Sequence, residues 1–194
     1  MLYLPDERYL ARYKVLTWAL PPNLLPWLMC KRGLGIYVLP QNKTAAWKKI
    51  QWLFGQKKDV IEGDGRPASE TAHYRPKDKA IVIPHSSFVR YRHNPLLHEV
   101  GHAVDYLYTR GTRTVSSYKT VKASLHLDRP FTDYCKRKDS KSTHPLEQFA
   151  TGFEAYFREP AAGNEELTIN DLTDEFIRIV RDKIVLPFSG ASAW

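Results

Sequence analysis

The stretch Asn94 to Tyr106, "NPLLHEVGHAVDY", places two histidines four residues apart with a glutamate directly after the first. Asn94 can cap free helical amides and Pro95 is pre-set for a first helical position, so the segment predicts a helix to about Thr109, where "RGT" stops it. On a wheel advancing about 100° per residue, His98 stands at zero, His102 at about 40° and Asp105 at about 340°. Leu96, Leu97, Val100, Ala103, Val104 and Leu107 gather on the opposite side, at about 140–260°. Both imidazoles can therefore meet one ion without pulling apolar residues off a core. Glu99, at about 100°, reaches an attacking water instead of the metal, as a general base must. The ordinary alternative is a wet helix face that happens to carry two histidines. Gly101 costs this helix about 1 kcal/mol relative to Ala. Close approach of a neighbouring backbone would account for it; a flexible blemish is the other reading.

A catalytic zinc takes three protein ligands and keeps one position open. A metzincin would place its third histidine six residues after His102, where Tyr108 stands, which excludes that subclass. The segment "HPLEQFATGFEAYFRE", His144 to Glu159, repeats the cap-then-proline device and reads as an amphipathic helix. Glu147 and Glu154 both flank its stripe of Leu146, Phe149, Phe153, Tyr156 and Phe157. Seven residues apart, they share nearly one face, so periodicity leaves both open as third ligand, with Asp105 as a further choice. Glu147 also has a plain role, since acids favour the first turn of a helix.

Around these two helices the chain reads as α+β. The first 33 residues form a packed arm that ends in a turn at "KRGLG". A strand at Gly35 to Pro40 and a helix at Lys43 to Phe54 follow, then a turn-rich loop from Gly55 to Pro76 and a strand at Lys79 to Pro84. Residues 111–141 read as irregular with short helices, and a last helix spans about Asn170 to Ile184. The 194 residues suit one domain: the arm, an N-terminal lobe of sheet and HEVGH helix at 34–110, and a mainly helical C-terminal lobe at 111–194 that carries the third ligand. The strand "KAIVIP" is expected to be the edge along which Ala80, Ile81, Val82 and Ile83 pair with an extended substrate, or else a purely structural strand.

Composition adds exclusions. The net charge is +8 and the pI about 9.4, yet the basic residues are spread along the chain. The one local run, "KRKDSK" at Lys136 to Lys141, reads as a solvated loop, and no aromatic-interleaved motif points to nucleic acid. Cys30 and Cys135 are too far apart for a metal knuckle and allow one disulfide at most. Pro21, Pro22 and Pro26 interrupt the apolar run near the N-terminus, so neither a secretory signal nor a spanning helix is expected.

"LLHEVGHAVDY" followed by "EQFATGFEAYF" resembles the catalytic domain of anthrax lethal factor and its relatives, which are zinc metallopeptidases. The likeness covers about Ile81 to Phe157. It implies a zincin-like fold, one Zn2+ per chain held by His98, His102 and Glu147, and a protein or peptide substrate. Relatives also repeat an acid four residues after the third ligand, where this chain has Thr151. They carry a tyrosine seven residues before it, where this chain has Ser140. That tyrosine stabilises the oxyanion in relatives, which leaves Tyr134 or His144 as substitutes here, or a site with weaker activity in which they are only a packed aromatic and a helix-cap histidine. Asp105 is expected to accept a hydrogen bond from a ligand imidazole and fix its tautomer, or else to be an ordinary solvent-facing carboxylate. Because relatives include secreted toxins and proteases, the resemblance implies an exported or delivered effector. The expected activity is a zinc endopeptidase in which Glu99 takes the water's proton and later protonates the leaving amine. The alternative is a zinc-binding peptidase-like module that has lost catalysis and grips a protein partner.

Overall fold

A computed structural model describes residues 1–61, 65–89, 94–110, 112–125, 144–158 and 169–190. The expected arm is more ordered than its prolines suggest: it forms β1 (Leu2–Tyr3), α1 (Glu7–Thr17) and α2 (Leu24–Arg32). Asp6 caps α1 through its carboxylate on the Arg8 amide. Pro26 falls in the first turn of α2, where a missing N–H breaks no helical bond.

β2 (Gly35–Val38) leads through α3 (Thr44–Leu53) and a loop to β3 (His73–Arg75) and β4 (Ala80–Ile83). The sheet order is β1-β2-β4-β3, with β1, β2 and β4 parallel and β3 antiparallel to β4. Side chains alternate across it. Ile36, Val38, Ile81 and Ile83 enter the main core, while Val82 packs with Leu39, Trp47, Ile50 and Ala68 under α3.

One expectation fails here. Ala80, Ile81, Val82 and Ile83 do not form an edge, because β4 is paired with β2 on one side and β3 on the other. All four residues are buried. An unbroken apolar run is what a strand covered on both faces requires, whereas a half-exposed edge alternates. Among the described residues the edges are β1 and β3, and β3 is the one that packs against the HEVGH helix.

After α4 (His85–Val89), that helix is α5 (Pro95–Leu107). Asn94 accepts from the Leu97 amide and Pro95 occupies the first turn, as the sequence predicts. Its stripe of Leu96, Leu97, Val100, Ala103, Val104 and Leu107 is buried. A 3-10 turn at Val115–Ser117 and α6 (Lys119–Ser124) precede α7 (Pro145–Phe157), the principal partner of α5. The single C-terminal helix expected from the sequence is instead segmented: a 3-10 turn at Ile169–Asp171, α8 (Asp174–Val180), a π turn at Arg181–Val185 and α9 (Leu186–Ser189). Among the described residues, no helix is long and apolar enough to cross a membrane.

Candidate metal centre

α5 and α7 cross closely because α5 offers no side chain at the contact. A Cβ placed on Gly101 would lie 2.9 Å from the Ala150 Cα. This is the neighbouring backbone that the glycine anticipates. The crossing brings one turn of α7, bearing Glu147, beside the face of α5 that carries His98 and His102.

The three side chains converge. One oxygen of Glu147, Oε2, stands 3.3 Å from Nε2 of His98 and 3.3 Å from Nε2 of His102. The two imidazole rings lie 4.8 Å apart, nearly perpendicular at 83°. That Glu147 oxygen is buried yet makes no directional hydrogen bond. The three donor atoms all fall within 4.8 Å of one another. Ligands held about 2.0–2.1 Å from a tetrahedral ion stand roughly 3.3–3.4 Å apart, so these separations match the edges of a zinc polyhedron. The donor set, two imidazoles and one carboxylate, suits the same ion. The three side chains remain partly exposed, at 14%, 15% and 26%.

The electrostatics agree with a charged cluster. Burial would push the His98 imidazole down, but the facing carboxylates of Glu147 and Glu154 outweigh it and raise His98 to about 10. Burial would raise Glu147, and its two histidine partners outweigh that, holding it well below the usual carboxylate range. Glu99 is different. It is 6% exposed, and burial dominates, lifting it above the usual range against the pull of His102, His98 and the nearby Tyr74 backbone amide. Burial thus raises the proton affinity of a carboxyl that stands beside both histidines.

The remaining sequence candidates separate. Glu154 lies on the same α7 face as Glu147 but outside the converging trio: its Oε2 is 3.6 Å from Nδ1 of His98, the other nitrogen of that ring. Asp105 does not hydrogen-bond a ligand imidazole. Its two oxygens accept from the Ser116 amide at 2.6 Å and the Ser116 hydroxyl at 2.9 Å, because the 3-10 turn covers this end of the helix face. His144 stands at the N-cap of α7, half-buried, and makes no side-chain cap bond. Tyr134, Ser140, Cys135 and the run Lys136 to Lys141 lie outside the described residues, and Cys30 is an exposed free thiol. Sequence reasoning missed β3, whose three residues His73–Arg75 are too short and too polar to stand out from the loop around them. A separate open cavity of about 520 Å³, lined among others by Leu20, Pro22, Tyr156 and Ile169, includes none of His98, His102 and Glu147.

No protein-family model matches the chain, and no curated protein matches it. Among solved structures it is similar to the Pro-Pro endopeptidase of Paenibacillus alvei, with a TM-score of 0.52 and 18% identity, over 97% of this chain and 92% of that one. At this identity the likeness establishes the fold alone: an α+β architecture with a small mixed sheet and mostly helices, shared with an endopeptidase along nearly its whole length.

Proposed function

We propose that the chain is a zinc-dependent endopeptidase of zincin-like, lethal factor-like architecture, in which His98, His102 and Glu147 hold the metal and Glu99 is the general base. The observation that carries this reading is the pair of 3.3 Å separations that aim one buried, unbonded Glu147 oxygen at both imidazole Nε2 atoms. Zinc bound there would supply a Lewis acid for the scissile carbonyl and the attacking water. Glu99, on the helix turn that joins the two histidines, takes the water's proton and returns it to the leaving amine. Its raised affinity for a proton suits both halves of that transfer. His144, three residues before Glu147, or Tyr134 would donate to the developing oxyanion. The proposed domain comprises the whole chain, with the C-terminal lobe supplying Glu147.

For the substrate, β3 replaces β4 as the proposed docking strand. It is an edge of the sheet, and the Tyr74 amide lies beside Glu99. In an antiparallel strand the N–H and C=O of one residue point the same way, so the Tyr74 carbonyl would face the same open edge and could accept from an extended peptide. The solved neighbour's name supports starting with peptides that contain consecutive prolines.

The test pairs zinc content with cleavage of a peptide library that includes Pro-Pro sequences, for the native chain and Glu99→Gln. The reading expects about one zinc per chain in both proteins and hydrolysis only in the native one. Retained proteolysis in Glu99→Gln would refute the general-base assignment. Bound zinc without hydrolysis of any peptide would favour the partner-binding module, and a native chain that takes up no zinc would end the metal reading.

A further inference from the structure

His98 lies between two carboxylates of the same helix. Glu147 faces its Nε2 at 3.3 Å, and Glu154, seven residues further along α7, faces its Nδ1 at 3.6 Å. The other Glu154 oxygen accepts from the backbone amide of Asn94 at 3.2 Å, with Arg158 Nη1 at 3.8 Å. Asn94 is the residue that caps α5, and its own side chain is tied to the Leu97 amide and the Leu16 carbonyl. One carboxylate, only 15% exposed, therefore meets both a ligand imidazole and the backbone from which that imidazole's helix starts.

An imidazole that gives Nε2 to a metal keeps its proton on Nδ1, and the acceptor found there fixes the tautomer and the plane of the ring. Asp105 is turned elsewhere, with one oxygen on the Ser116 amide and the other on the Ser116 hydroxyl. We propose that Glu154 is the positioning residue for His98: it holds the ring with Nε2 turned toward Glu147 and anchors the first turn of α5 to α7. It does so from the far side of the ring, as a partner of the ligand and not as a ligand. The inference rests on the proposed zinc site.

The decisive measurement is the zinc dissociation constant of the full chain, by competition with a chromophoric chelator, for native protein, Glu154→Ala, Glu154→Met, Glu154→Gln and Asn94→Ala. Methionine fills the same space with only a weakly accepting, uncharged thioether, and so decides the matter should the alanine variant fail to fold. Glutamine keeps an acceptor oxygen. Asn94→Ala removes the helix cap but leaves the backbone amide and the Glu154 to His98 contact, so it measures what loosening α5 does by itself. Loss of such an outer partner costs metal affinity about 10–100-fold, which is the weakening expected for Ala and Met, with partial recovery in Gln. Asn94→Ala should lower Tm and leave zinc affinity unchanged. Unchanged affinity in the Ala and Met variants, or an equal loss in Asn94→Ala, overturns the role of Glu154 while the zinc site stands. A native chain that binds no zinc overturns the site and this inference together.

Discussion

Gly101 rests on the backbone of Ala150: a Cβ there would stand 2.9 Å from the Ala150 Cα, 3.1 Å from the Phe153 Cβ and 3.2 Å from the Ala150 carbonyl oxygen. The contact falls next to His102 on α5 and three residues after Glu147 on α7, so the spacing of the proposed ligands depends on it. Alanine is the better helix former by about 1 kcal/mol, yet a methyl here must push backbone from backbone. Gly101→Ala should lower the unfolding free energy by about 1–3 kcal/mol in a denaturant titration and weaken zinc binding in parallel. A variant more stable than native, with zinc affinity intact, would contradict a crossing this tight.

In the metal-free protein, the flanking carboxylates keep His98 protonated, with its pKa raised to about 10. A metal takes the neutral imidazole, so zinc must expel that proton. Calorimetric titrations near neutral pH in buffers of different ionisation enthalpy should therefore report release of about one proton per zinc. Enthalpies that do not vary with the buffer would mean that His98 is already neutral before the metal arrives.

Much of this site is legible in the sequence. The cap at Asn94, the proline after it and the wheel position of the two histidines depend only on local geometry, and α5 follows them. Glu147 is less accessible to such reasoning. It shares a face with Glu154, and what separates the two is about 10.5 Å of axial rise, which acquires meaning only once the Gly101 to Ala150 crossing fixes how far along α7 the histidines sit. The resemblance implies Glu147, and the helix crossing brings an oxygen of that residue within 3.3 Å of both Nε2 atoms, whereas Glu154 faces Nδ1 of His98. Asp105 shows the limit of the wheel: its face looks wet within α5, but a 3-10 turn 11 residues away covers it. The docking strand failed for a different reason. β4 is the more persuasive strand in sequence because it is interior, and the edge that reaches the site is three half-polar residues.

Asp105 gives the fold a pH dependence of predictable sign. It is 1% exposed, and burial raises its carboxyl from 3.8 to about 6 although Ser116 hydrogen bonds and His102 pull it down. Between those two values the native state keeps a proton that the unfolded chain has lost. Native stability attributable to this group therefore falls as pH rises through the window and levels off above about 6. The full excursion corresponds to about 3 kcal/mol. Asp105→Asn removes the titration, and its amide oxygen can still accept from the Ser116 amide while Ser116 Oγ turns to accept from the new NH2 group. Unfolding free energies measured on the metal-free proteins from about pH 4 to about pH 7 should thus shift in favour of Asp105→Asn, by an amount approaching that figure. A difference that stays flat, or drifts toward the native chain, would mean that the two Ser116 bonds outweigh burial and that Asp105 is held as an ordinary carboxylate.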